Sequence, residues 1–170
     1  AASDFRGSAQ AQMIPRIRAA YVRNYKSIGT SAVELETFTV LVGPNGAGKS
    51  NFIDALSFVH DCLAESVELA FRNRGGIDSV RRRSGGHPYH IGIRLVLDLT
   101  PETSADYSFE ISARPDEKFS IARESCSVTQ GMNPTHSFEV LGGSFSVPIP
   151  GIRPRVASDR LALYAASATD

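Results

Sequence analysis

The chain has 170 residues, the size of one domain and enough to bury a core. Lys+Arg and Asp+Glu both number 18, so there is no molecule-wide field to draw the protein to nucleic acid or anionic lipid, and any such attraction must come from a local patch. Hydrophobic residues make up 42%, yet no apolar run approaches the ~20 residues of a membrane helix. Cys62 and Cys126 match no metal spacing, and with no secretory apolar segment they predict reduced thiols in a cytoplasmic protein.

Residues 1–12, AASDFRGSAQAQ, are small, polar and unpatterned. They read as a disordered leader or an expression remnant ahead of a natural start at Met13. Residues 16–25 alternate apolar and polar, with Ile17, Ala19 and Tyr21 in step, and predict a half-buried strand. Residues 32–36 alternate again through Val33 and Leu35. Residues 38–42, FTVLV, are apolar nearly throughout, as expected of a strand covered on both sides. Residues 50–72 carry Phe52, Ile53, Leu56, Val59, Leu63 and Val67 at helical spacing and predict one long helix, stopped by residues 73–76, NRGG. A basic loop follows at 78–88. The period then changes to that of strands at 90–99, 106–114 and 119–128, joined by short turn-rich connectors that favour antiparallel neighbours. Residues 137–148 predict a hairpin around Gly142 and Gly143, and 158–167 a helix capped by Ser158 or Asp159.

Between the apolar strand and the helix, Gly43-x-x-x-x-Gly48-Lys49-Ser50 satisfies the phosphate-loop pattern. Glycines let the backbone curl so that successive N–H groups converge on an anion. The helix starting near Lys49 aims its unpaired N–H groups and positive dipole end at the same place. Lys49 adds a full charge for the outer phosphates, and the Ser50 hydroxyl suits Mg²⁺. The strand before the loop and the helix after it are the setting the motif requires.

The stretch GPNGAGKSNFIDAL resembles the loop of ABC-type ATPase heads in SMC, RecF and OLD-like proteins. Asn45, and Asn51 after Ser50, are typical of that group. Residues 17–29, IRAAYVRNYKSIG, resemble its first strand and turn, and FRNRGGIDSV at 71–80 resembles the arginine loop of SMC heads. The resemblance implies an α/β P-loop fold: an N-terminal ABC-like lobe with an antiparallel β-subdomain at about 89–148 and an incomplete sheet, so that 13–170 form the N-terminal part of a head. It implies ATP and Mg²⁺ held by Gly43, Pro44, Asn45, Gly46, Ala47, Gly48, Lys49, Ser50 and Asn51, with Arg74 reaching the γ-phosphate. A small-molecule kinase fits less well, because strands and helices would alternate after the loop.

Hydrolysis in such heads also needs a Walker B strand ending in Asp-Glu and a signature motif on a second head. RLVLDLTPE at 94–102 imitates the former, but Leu99 follows Asp98, and Asp98 reads as a carboxylate closing a strand. RSGGH at 83–87 and VLGGS at 140–144 read as turns. The expected partners are therefore a second head, forming a homodimer in the complete protein, and a C-terminal half. Coupled work on DNA or RNA is one reading. A nucleotide-driven dimerisation switch recruiting a nuclease or other effector is the alternative. Arg72, Arg74, Arg81, Arg82 and Arg83 form the clear charge cluster, readable as a nucleic-acid contact, as a source of the γ-phosphate arginine, or as a solvated loop paired with nearby acids. Tyr25 and Lys26 are either turn residues or flank the adenine or ribose. His60, His87 and His90 form no metal spacing.

Overall fold

The computed structural model describes residues 14–82, 90–113, 119–147 and 160–167, with side chains to residue 164. The alternation that begins the ordered chain forms β1 (Arg16–Tyr25), which turns into β2 (Ile28–Glu34). Three helices follow, α1 (Lys49–Ala64), α2 (Val67–Arg72) and α3 (Ile77–Val80). The chain then runs through β3 (Ile91–Thr100), β4 (Thr103–Ala113), β5 (Phe119–Gln130), β6 (Asn133–Leu141) and β7 (Ser144–Val147) to α4 (Ala162–Ser167). All seven strands make one sheet in the order β2-β1-β3-β4-β5-β6-β7, and every pairing is antiparallel. The strands expected at 90–128 and the hairpin at Gly142 and Gly143 are present. A parallel sheet is not seen among the described residues, so the architecture is mainly an open antiparallel sheet with a few helices.

One face of the sheet carries the core. Val22, Ile91, Ile93, Phe109, Ile111 and Val140 are buried against Phe52, Phe58, Val59 and Cys62 of α1 and Val67 and Phe71 of α2. Val22 and Tyr25 are both buried although three residues apart, which strict alternation forbids. Asn24, between them, has φ 55, and this left-handed residue shifts the parity so that the Tyr25 ring enters the core.

Residues 50–72 form two helices rather than one. Glu65 leaves helical geometry with φ −129 and ψ −92, and extended Ser66 caps α2 by accepting from the Leu69 N–H at 3.1 Å. A straight helix would hold Phe58 and Phe71 about 20 Å apart. The break brings their rings to 5.1 Å, in a row that continues to Tyr25 on one side and Phe119 on the other.

Residues 38–42 also depart from expectation. They join no strand among the described residues, and Phe38, Val40 and Val42 are 83%, 62% and 85% exposed, while Leu41 turns inward onto the core. The apolar run marks a chain suited to burial, but burial needs a neighbour on each side, and β2, the nearer sheet edge, stands across a cleft from it. Ser158, Asp159, Arg83 and His87 lie outside the described residues.

Phe58 links Tyr25 to Phe71 in the ring row and is fully buried. Phe58→Ala should lower the unfolding free energy by about 3–5 kcal/mol in denaturant titration, whereas Phe38→Ser should stay within about 0.5 kcal/mol.

Candidate functional site

The turn into α1 is built from backbone. Gly48 is the N-cap residue with φ 90 and ψ 4, a conformation open to glycine and costly for residues bearing a Cβ. Gly46, with φ 81, makes the preceding curl in the same way. No side chain caps α1 and no acid lies in its first turn. The leading N–H groups and the dipole therefore meet no competing carboxylate from the helix itself. Lys49 curls back over the loop, its Nζ donating to the Gly43 carbonyl at 2.6 Å and the Pro44 carbonyl at 2.8 Å. The Ala47 N–H donates to the Pro44 carbonyl at 3.2 Å and tightens the turn.

Beside the loop lies a cleft of about 540 Å³. Gly46 to Lys49 and Phe52 line one side, Val40 to Val42 another, and Ser27 to Ser31 with Val33 of the β1–β2 turn and β2 the third. Asn51 does not line it; its Nδ2 donates to the Ser27 Oγ at 2.7 Å. The basic curl fits a polyphosphate. Among the described residues no three His, Cys, Asp or Glu side chains cluster to hold a metal ion.

Behind α1 sits an ionic hub that takes in Tyr25, Lys26 and Arg74. Asp54 accepts from the Tyr25 hydroxyl at 2.7 Å and Arg74 Nε at 3.1 Å, and pairs with Lys26 Nζ at 2.6 Å. Arg74 also bonds Asp61 at 2.7 Å and the Ala70 carbonyl at 3.0 Å, and lies over the Phe58 ring. Its side chain is only 9% exposed, so its charge is satisfied inside the chain and the expected reach to a γ-phosphate would break two ion pairs. Tyr25 is buried and Lys26 is paired, so neither is placed to flank a base. Burial pushes the Tyr25 hydroxyl well above its ordinary range, with the bond to the Asp54 carboxylate adding to it.

The basic cluster is divided. Arg81 pairs with Asp78 at 2.6 Å, while Arg72 and Arg82 stand exposed. The Arg82 guanidinium lies against Gly29, where a Cβ would meet it at 2.1 Å. Asp98, the Walker B imitation, pairs with Arg16 and Arg18 at 3.1 and 3.3 Å. It is opposite Arg16 in the register, about 30 Å of strand away from Tyr25, near the C-terminal end of β3. His60 contacts Asp61 and His90 approaches Glu110.

Residues 38–129, more than half of the chain, match the family described as "AAA domain, putative AbiEii toxin, Type IV TA system". The chain belongs to this AAA domain family. It is also 48% identical over 114 residues to Structural maintenance of chromosomes protein 1 of Schizosaccharomyces pombe, a match covering 61% of this chain and 9% of that protein. Together these place the AAA domain among P-loop ATPases of the SMC/RecF-like group, as a chain spanning a small part of its relative.

Burial raises the Asp54 and Asp61 carboxyls, but Lys26, Tyr25 and Arg74 around Asp54, and Arg74 and His60 around Asp61, outweigh it and hold both below the usual range. An acid whose pKa falls on folding stabilises above its unfolded value and loses that contribution as pH drops through the folded one. The melting temperature should therefore decline as pH is taken below about 4, and Arg74→Met should show a lower plateau with a shallower acid slope. An unchanged acid profile in Arg74→Met would show that these pairs add nothing to the fold.

Proposed function

We propose that the chain is the ATP-binding half of an SMC/RecF-like ATPase, gripping MgATP through residues 43–50. The observation that carries this reading is the start of α1: an N-terminus with neither side-chain cap nor first-turn acid, beside an ammonium resting on two loop carbonyls. An ammonium so placed needs only to exchange the Gly43 and Pro44 oxygens for phosphate oxygens, without unfolding any element. The N–H groups of the glycine-rich curl at Gly43 to Gly48, with Pro44, Asn45 and Ala47 shaping it, would surround the β-phosphate. Lys49 would neutralise the outer phosphates, and the Ser50 hydroxyl would ligate Mg²⁺, whose role when bound is to neutralise charge on the phosphate oxygens.

Turnover asks for more than this chain's residues supply. Among the described residues that line the cleft there is no carboxylate to polarise a water, and Asp98 is committed to Arg16 and Arg18. We place the Walker B strand and signature motif in a further segment of the complete protein, and the opposing signature on a second head. Closure of two heads over two nucleotides would then be the working stroke. Among the described arginines of the basic cluster, Arg72 and Arg82 are the ones left for nucleic-acid phosphates; Arg74 and Arg81 are held by acids.

In calorimetry, the complete protein should release magnesium-dependent heat with ATP, and Lys49→Ala should abolish it. Residues 1–170 alone should show no steady-state hydrolysis. Efficient turnover by the purified 170-residue chain, lost in Lys49→Ala, would refute the division of labour between segments.

A further inference from the structure

Asn51 and Asp54 stand three residues apart on α1 and share one helix face. Each holds a successive residue of the β1–β2 turn: Asn51 Nδ2 donates to the Ser27 Oγ at 2.7 Å, and the Asp54 carboxylate pairs with Lys26 Nζ at 2.6 Å. The turn needs holding. Lys26 has φ 48 and Asn24 φ 55, left-handed values that cost free energy in residues with a side chain. Backbone bonds from the Lys26 N–H to the Val80 carbonyl and from the Arg82 N–H to the Asn24 carbonyl support it from below. Only the two α1 side chains tie it to the phosphate-loop helix among the described side-chain bonds. The residues that follow the turn, Ile28 to Ser31, are the cleft wall facing the loop.

We propose that Asn51 and Asp54 are positioning residues that clamp the β1–β2 turn as the nucleoside wall of the cleft, an inference resting on the nucleotide reading above. The geometry separates two halves of one ligand. Phosphate contacts come from the loop backbone, Lys49 and Ser50, which the clamp does not touch. What projects beyond the phosphates meets Ser27 to Ser31, whose place is set by the clamp. Asn51 therefore acts through Ser27, and Asp54 through Lys26.

The test compares MgATP with magnesium tripolyphosphate, which has the same charged tail and no nucleoside, by calorimetric titration of the complete protein. Asn51→Ala and Asp54→Asn should each weaken MgATP binding at least tenfold while leaving tripolyphosphate within twofold. Lys26→Met, which removes the other half of the ion pair, should repeat the pattern and keeps the test decisive if Asp54→Asn fails to fold. Lys49→Ala should lose both ligands. Equal losses for ATP and tripolyphosphate in the clamp variants would mean a general structural role, and unchanged ATP binding would mean no role; either overturns the proposal. If the parent chain binds neither ligand, the nucleotide reading itself fails and the clamp falls with it; if it binds tripolyphosphate but gains nothing from the nucleoside, the clamp alone is refuted.

Discussion

Arg74 holds the helical layer to the sheet. Its guanidinium lies nearly out of solvent on the Phe58 ring, and two aspartates of α1, one helical turn and three turns beyond the loop serine, neutralise it. A charge in that position is tolerated only because both carboxylates and the Ala70 carbonyl complete its hydrogen bonds. Tyr25 and Lys26 enter the same cluster from β1 and its turn, so one set of polar contacts fixes α1 against the sheet and the α2–α3 loop against α1. The orientation of the helix that begins at the phosphate loop is thus set from behind, by residues that never face the cleft.

Much of this molecule was legible in its sequence because period and chemistry coincide. The extent of β1 was legible but its face was not: a register shift between Ile17 and Ala19 leaves Tyr21 exposed and turns Ala20 and Val22 into the core; the antiparallel run from β3 to β7 follows short, turn-rich connectors. The phosphate loop was recognisable because its glycines are needed for backbone conformation, which local sequence expresses directly. Features that depend on distant partners were less visible. The helix break at Glu65 and Ser66 serves a ring contact between Phe58 and Phe71, and the serine was the local signal that could have marked it. The arginine cluster looked uniform in sequence, and folding sorted it into a sequestered Arg74, a paired Arg81 and exposed Arg72 and Arg82.

Glu124 illustrates the same limit in the sheet. Alternation from Phe119 and Ile121 would turn Arg123 inward. A bulge opposite Glu110 and Ile111 inserts Ala122 and brings Glu124 into the core instead, leaving Arg123 outside on Glu139. The buried carboxylate accepts from the Tyr107 hydroxyl at 2.9 Å and from the N–H groups of Ala162 and Leu163, and so pins the start of α4 beneath the sheet. Burial raises its pKa, and these three bonds oppose the rise. Nothing in a strand reading FSIARESCSV marks that glutamate as the anchor of a helix forty residues away.

The outward side chains of Phe38, Val40 and Val42 have a practical bearing on handling. Three large exposed apolar groups within five residues form a sticky ridge at the cleft's edge, and a molecule with zero formal net charge has little self-repulsion to keep two such ridges apart. Concentrated solutions of the isolated chain should self-associate through that ridge, with light scattering rising near neutral pH and falling when a charged residue replaces Val40.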